Sequence, residues 1–581
     1  MMQKTGTSNI LRVKIGGQAG QGVKTSGLLL AKLATRSGYH IYNYIEYPSL
    51  IRGGHNVMQV NISEQEITAP STKTDFLVAL NQDTLDKHIN EMTSGSGILY
   101  DTDDKLSTSN VRSDIMVFQI PLSKLAQETG GKELLSNTVA LGAVAAIFGA
   151  DLKILIDLLT EEYGSKGAEV LKSDTTAVEL GYKHIMQNYP KYLKDSLKPL
   201  DNRQPKMVIN GNEAVALAAI SAGLQFAAIY PMSPISHIID VLAAHQNNYG
   251  YIYKQPEDEI AAINMAIGAS FAGARSMVAT SGGGFNLMAE GYGLAGMTET
   301  PVVIIEGMRG APATGLPTWS EQGDLRFMLH AHQGEFPRIV LAPGDLTETF
   351  YLTMEAFYIA DKYQTPVVVL IDKNICDNDQ SVPIFDVSSY QIDRGNFSTK
   401  YADGYKRYEP TADGISMRSV PGSGNFFIAN SDEHDEIGLS SEEDANRDVQ
   451  MKKRMSKLDT CAKNDMPLPQ LYGPKEADIT IVSWGSNKGS ILRALKQFDN
   501  VNYLHITWMS PFPEEEIKKI LTNARYIIDI ECNYTAQLAG LIREKTGIEI
   551  KDKFLKYNGR PFFVEEISQK IEAVLKEHKH D

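Results

Sequence analysis

Three acids stand in a row at Glu257, Asp258 and Glu259, directly ahead of IAAINMAIGASFAGA, a run of almost nothing but small and apolar side chains. Such a run reads as a helix with no face left for water, buried all round. Acids at a helix start offset the positive end of the backbone dipole, and Pro256 suits the position just before. That accounts for Glu257 and Asp258. Glu259 abuts the buried run itself, where a carboxylate without a partner is costly. A carboxyl held in a cleft against a ligand atom is the chemistry that position suits.

Three further stretches carry hydroxyls, glycines or a guanidinium at the ends of apolar runs. They are YPMSP after FAAI, SGGG after SMVAT, and MRGAPATG after PVVIIEG. PVVIIEG, RIVLAP and PVVVLID are continuous apolar runs of the kind a parallel sheet covered on both faces requires. In such sheets ligands sit beyond the carboxyl ends of the strands, where these turns lie. A lone Arg309 would be a solvated loop residue; beside two other strand-end turns it becomes a binding candidate. The earlier turn GGQAGQGVKT fails both phosphate-loop patterns, because Val23 separates Gly22 from Lys24 and the glycines run G-x-x-G-x-G. It reads equally as an anion-holding helix start or as a tight turn with no ligand. PSLIRGGHN, with Arg52, Gly53, Gly54 and His55, has the same two readings.

The elements that must position these residues divide the chain. At 581 residues it exceeds a single core. Strands alternating with helices predict three α/β domains, over 1–190, 205–385 and 476–581, the second opening on the strand MVIN. The connector YPKYLKDSLKPLDNRQP separates the first two. Residues 386–475, rich in Asp, Ser, Gly and Asn, lose periodicity and read as an extended connector, too long for a casual loop. A net charge of −15 argues against a nucleic-acid partner. The longest smooth apolar run, Val139 to Ala150, is too short to span a bilayer. Cys376, Cys461 and Cys532, far apart, suit a reducing cytoplasm and fall short of a four-thiolate iron–sulfur site.

Taken in order, GGQAGQG, EYPSLIRGG, YPMSP, PEDEIAAINMAIGASFAGA, TSGGGFNLMAEG, RGAPATGLPT, HQGEFPRIVLAPGD and YNGRPF resemble the 2-oxoacid:ferredoxin oxidoreductases. The pattern is that of an α subunit with the γ domain fused to its N-terminus. YPMSP departs from the family's YPITP, with Ser233 keeping the hydroxyl. The resemblance implies a γ-type domain, a module binding the pyrimidine of thiamine diphosphate, and a C-terminal domain like that of transketolase. It further implies a β subunit that supplies Mg²⁺, through a G-D-G motif, and a [4Fe-4S] cluster. This chain has no G-D-G and only three cysteines. By motif position, Glu259 and Pro231 would hold the cofactor, Glu259 hydrogen-bonding N1′ of its aminopyrimidine. Ser233, Arg309 and Thr314 would receive the substrate carboxylate. The implied reaction is oxidative decarboxylation of a 2-oxoacid with coenzyme A to acyl-CoA, CO₂ and reduced ferredoxin, in a cytoplasmic dimer of αβ units. LPTWSEQGDLRF resembles the 2-oxoglutarate branch. Pyruvate or broad 2-oxoacid specificity, transketolase-like ketol transfer, and a non-catalytic nucleotide-binding regulatory protein are the alternatives.

Overall fold

Val302–Met308 and Pro366–Asp372, two of the apolar runs, are neighbouring parallel strands in which every residue is buried. The computed structural model describes residues 10–50, 53–129 and 135–577, so Arg52 of the PSLIRGGHN turn lies outside the described residues. The sheet containing the two strands has seven in all. Its order is Trp508–Ser510, Ile339–Leu341, Pro366–Asp372, Val302–Met308, Ser276–Thr280, Phe226–Ala228, Ile252–Lys254. All pairs are parallel except Trp508–Ser510 with Ile339–Leu341. One carboxyl edge therefore carries YPMSP, QPEDE, SGGG and MRGAP together.

The helix Glu259–Phe271 starts on Asp258, whose side chain accepts from the Ala261 N–H at 2.8 Å. It buries one side, through Ala262, Ile263, Ala266, Ile267 and Ser270. The expected all-round burial does not hold: Ile260 and Met265 are 47% and 45% exposed, and Asn264 and Gly268 also face outward. Small residues four apart let the inner side close tightly, and Ile263 fills the space a side chain at Gly291 would need. Apolar composition specifies the outer side only as a surface that avoids water. That surface continues onto Leu287, 48% exposed, in the helix Gly282–Met297.

The chain forms two compact units. The first holds an eight-stranded sheet in the order Met116–Ile120, Met92–Asp101, Thr74–Ala79, Leu11–Ala19, Gly53–Ser63, His40–Glu46, Gln380–Pro383, Lys206–Ile209. The first four pair in parallel and the rest antiparallel. Met207–Ile209, read from the sequence as opening the second domain, thus closes the first unit's sheet. The break comes at Asn210, which caps the next helix reciprocally with Glu213. The second unit contains the seven-stranded sheet and a five-stranded sheet, Gln470–Tyr472, Val501–His505, Ile479–Ser483, Ile527–Glu531, Asp552–Leu555. Both contribute to one apolar cluster that includes Val368, Leu370, Trp484, Leu504 and Leu541.

Residues 386–475, read from the sequence as an extended connector, hold no helix or strand before Asp444. They contain the 21-residue helix Asp444–Asn464 and are fastened to the second unit by charge. Asp361, 3% exposed, receives Arg275 Nε at 2.8 Å, Arg394 Nε at 2.6 Å and Arg418 Nη2 at 2.7 Å. Fully buried Glu299 receives Lys453 Nζ and Lys457 Nζ, each at 2.6 Å, and its carbonyl accepts from Arg407. Lysines and arginines of low hydropathy hide such anchors in a sequence, because periodicity weighs each residue by its hydropathy and not by its partner.

Candidate active site

The strand Ser276–Thr280 runs into Ser281 and then three glycines that open the helix Gly282–Met297. None of the three has positive φ. Gly282 and Gly284 are needed for close approach instead, while Gly283 faces open space. A Cβ at Gly282 would lie 2.5 Å from Asp324 Oδ2, and one at Gly284 would lie 2.6 Å from Glu259 Oε1 and collide with the Thr280 hydroxyl. The turn is a saddle with Glu259 on one flank and Asp324 on the other. Glu259 is 3% exposed, and its Oε1 has no hydrogen-bond partner among the described residues. A buried carboxyl oxygen without a donor is what a ligand donor would satisfy.

Along the same edge, Arg309 follows the central strand Val302–Met308, and its Nη1 donates to the Ser233 carbonyl at 2.8 Å. Gly307 lets the strand end back onto Pro234 and Ile235, which fixes the YPMSP turn against it. Two of the sequence candidates, Ser233 and Arg309, are thereby brought together. Pro231 is exposed in the same turn. Thr314 stands exposed in a loop closed by the Gly310–Leu316 bridge, with no hydrogen bond to Ser233 or Arg309. That loop is held by Ala311 N–H donating to Glu321 at 3.1 Å, and its far end rests on YNGRPF. There Arg560 stacks 3.4 Å over the Trp319 ring and Ser320 N–H donates to the Gly559 carbonyl.

Glu306 and Asp324 escaped the sequence reading. Glu306 is fully buried in the central strand, beside Thr280 on one neighbour and Leu370 on the other. Burial, with the nearby Asp324 and Asp372 charges, drives its carboxyl well above the usual range. Burial and the Glu321 charge push Asp324 up to about 6. Burial lowers the Arg309 guanidinium, opposed by Asp324 and Glu306. The signal was in plain sight, a single acid inside the otherwise apolar PVVIIEGM. In the first unit, the GGQAGQG turn borders a cavity of about 470 Å³ lined by Asp101, Asp103 and Asp104, a poor electrostatic setting for an anion.

Residues 217–454 match the family described as pyruvate flavodoxin/ferredoxin oxidoreductase, thiamine diphosphate-binding, and 12–184 match pyruvate ferredoxin/flavodoxin oxidoreductase. The 2-oxoacid:ferredoxin oxidoreductase subunit alpha of Saccharolobus solfataricus is 33% identical, over 97% of each chain. The chain belongs to this family. As an α subunit of a thiamine diphosphate-dependent 2-oxoacid:ferredoxin oxidoreductase, it is similar to the 2-oxoglutarate oxidoreductase subunit KorA of Mycobacterium tuberculosis. Identity there is 28%, over 97% of this chain and 91% of that one. Among solved structures, the 2-oxoglutarate:ferredoxin oxidoreductase of Magnetococcus marinus, with 2-oxoglutarate, coenzyme A and succinyl-CoA bound, superposes with a TM-score of 0.88. It is 31% identical, covering 97% of this chain and 99% of that one. The α/β architecture expected from the sequence agrees with that match. No helix among the described residues is long and apolar enough to cross a membrane.

Proposed function

We propose that this α subunit acts on 2-oxoglutarate, with coenzyme A as acyl acceptor and ferredoxin as electron acceptor. In this reading it works in the cytoplasm, in a dimer of αβ units. The β subunit would contribute Mg²⁺, the diphosphate contacts and a [4Fe-4S] cluster. The observation that carries the reading is the orphaned Glu259 carboxyl, buried in a cradle of glycine at the carboxyl edge of a parallel sheet. It fits the ring nitrogen of an aminopyrimidine, which needs one acid within hydrogen-bond reach. When bound, thiamine diphosphate supplies the nucleophilic carbon and the electron sink for decarboxylation.

The chain's own residues do the rest. Glu259 would hold a proton at N1′ of the bound aminopyrimidine, the acid that the ring nitrogen needs within hydrogen-bond reach. Gly284 leaves room for the carboxyl, since a side chain at that position would displace it. Arg309, steadied by the Ser233 carbonyl, presents a planar cationic donor to the substrate carboxylate. Ser233 offers its hydroxyl from the opposing turn. Thr314 joins them if its loop folds inward on substrate, and Pro231 packs against the cofactor. The 2-oxoglutarate preference is supported by the names of the relatives and by the ligands of the Magnetococcus enzyme. The open apolar side of Ile260, Met265 and Leu287, at the level of Glu259, supports a partner subunit closing over the site.

The test is to combine the chain with its β subunit and measure viologen reduction with 2-oxoglutarate and with pyruvate. A kcat/KM higher for pyruvate would overturn the substrate assignment. Arg309→Ala should lower kcat/KM by about two to three orders of magnitude, as loss of a charged hydrogen bond of ~2–4 kcal/mol from a desolvated site does. Bound thiamine diphosphate should be retained. Loss of cofactor instead would remove Arg309 from the substrate site.

A further inference from the structure

Glu306 is fully buried at the carboxyl end of the central strand, and neither of its carboxyl oxygens meets a donor among the described residues. What faces it is a second acid, the Asp324 carboxyl, itself wedged against Gly282. Two carboxyls so placed hydrogen-bond to each other only when one of them carries a proton. We propose that Glu306 and Asp324 share a proton beneath Arg309 as its counter-charge, and take up a second when a substrate carboxylate engages the guanidinium. The proposal rests on the assignment of Arg309 to the substrate carboxylate.

Charge balance gives the reason. Without substrate, the guanidinium and the singly protonated pair sum to zero. A bound carboxylate adds a negative charge to a site with little solvent, where unbalanced charge is expensive. One proton from solvent, added to the pair, restores the sum. Burial raises Asp372 and Glu321 as well, opposed in each by backbone N–H donors, and the Asp324 and Glu306 variants below separate the pair from them. Asp372, at the end of the neighbouring strand, is held by the Asn374 and Ile375 N–H groups at 2.9 and 3.3 Å. Glu321 faces Asp324 and accepts from the Ala311 N–H. Cys376, fully buried, faces Glu306 and has its thiol raised by burial, so it stays neutral, and Lys373 stands beyond it toward Asp377. Burial raises Glu306 strongly and Asp324 to about 6, the ordering that one shared proton requires. Glu306 and Asp324 are positioning residues in this scheme; they act through Arg309.

The experiment measures KM for 2-oxoglutarate in the αβ holoenzyme from about pH 6 to about pH 9, with kcat recorded alongside. Proton uptake on binding makes the wild-type KM rise with pH, by up to about tenfold per unit. Asp324→Asn should flatten the profile and, near the alkaline end, give a lower KM than wild type, because it removes a negative charge competing for Arg309. A purely structural role would raise KM at every pH. Glu306→Gln should flatten the profile in the same way. Arg309→Ala should raise KM across the range. A flat wild-type profile, or a wild-type slope retained in Asp324→Asn, overturns the pair. An unchanged KM in Arg309→Ala overturns the assignment of Arg309 itself, whatever the pair does.

Discussion

A carboxyl oxygen with no donor is costly to bury, and in the proposed site the ligand supplies the donor that Glu259 Oε1 lacks. Glu259→Gln keeps the shape but cannot exchange the proton, so activity should fall by about 10² or more. Proton exchange at C2 of bound thiamine diphosphate, measured without substrate, checks this: a wild-type exchange rate would remove Glu259 from the role. Asp258→Asn should leave exchange intact, since an amide oxygen caps the Ala261 N–H as well as a carboxylate does. Gly284→Ala should abolish exchange while leaving the circular dichroism spectrum unchanged, because the added methyl occupies the space of the Glu259 carboxyl. That Glu259, Ser233 and Arg309 lie along one sheet edge was legible in the sequence, because each is a polar type beside an apolar run. Glu306 was not, because it sits inside such a run, and Asp324 was not, because its meaning depends on a neighbour 18 positions upstream in a different element. Contact across a sheet is invisible to spacing along a chain.

At the scale of elements, strand and helix type followed from periodicity, and the strand-end turns did converge on one edge. Periodicity was least informative over 386–475, where charge replaces hydropathy as the binding principle. The helix Asp444–Asn464 carries Lys453 and Lys457 into the core, against Glu299. Burial lowers Lys457 from its ordinary 10.5 to about 7, with the Glu299 charge opposing. Burial alone would raise Glu299, but Lys453, Lys457 and Arg407 outweigh it and hold it down. Between about 7 and 10.5 the unfolded chain keeps a proton on Lys457 that the folded chain has lost. This group therefore adds stability as pH rises through that window, and the gain is absent below it. Thermal unfolding of the wild type and of Lys457→Met across the window should show a shallower rise in the variant. Asp361→Asn leaves three arginines facing an amide and should destabilise by roughly 3–5 kcal/mol in denaturant titrations, the scale of breaking a buried ion pair.

For the whole molecule, the exposed apolar stripe of Ile260, Met265 and Leu287 is the surface on which assembly can be tested. Met265→Lys should leave the isolated chain folded and prevent it from binding its β subunit in gel filtration; a normal complex would place the interface elsewhere. The division into units has another consequence. The strand Gln380–Pro383 joins the first unit's sheet beside His40–Glu46, where Asn43 Nδ2 donates to Asp379 at 3.1 Å and the Ile45 N–H to the Asn378 side chain at 3.0 Å. The chain therefore passes from one unit to the other more than once. Trypsin has an accessible site at Arg203, in the exposed stretch between the first unit's last helix and Lys206–Ile209. A cut there opens the backbone without freeing either piece, because the downstream fragment still adds two strands to one edge of the upstream fragment's sheet. The nicked protein should run as two bands under denaturing conditions and as one species on a native column, stitched together like cloth whose seam thread has been cut only once.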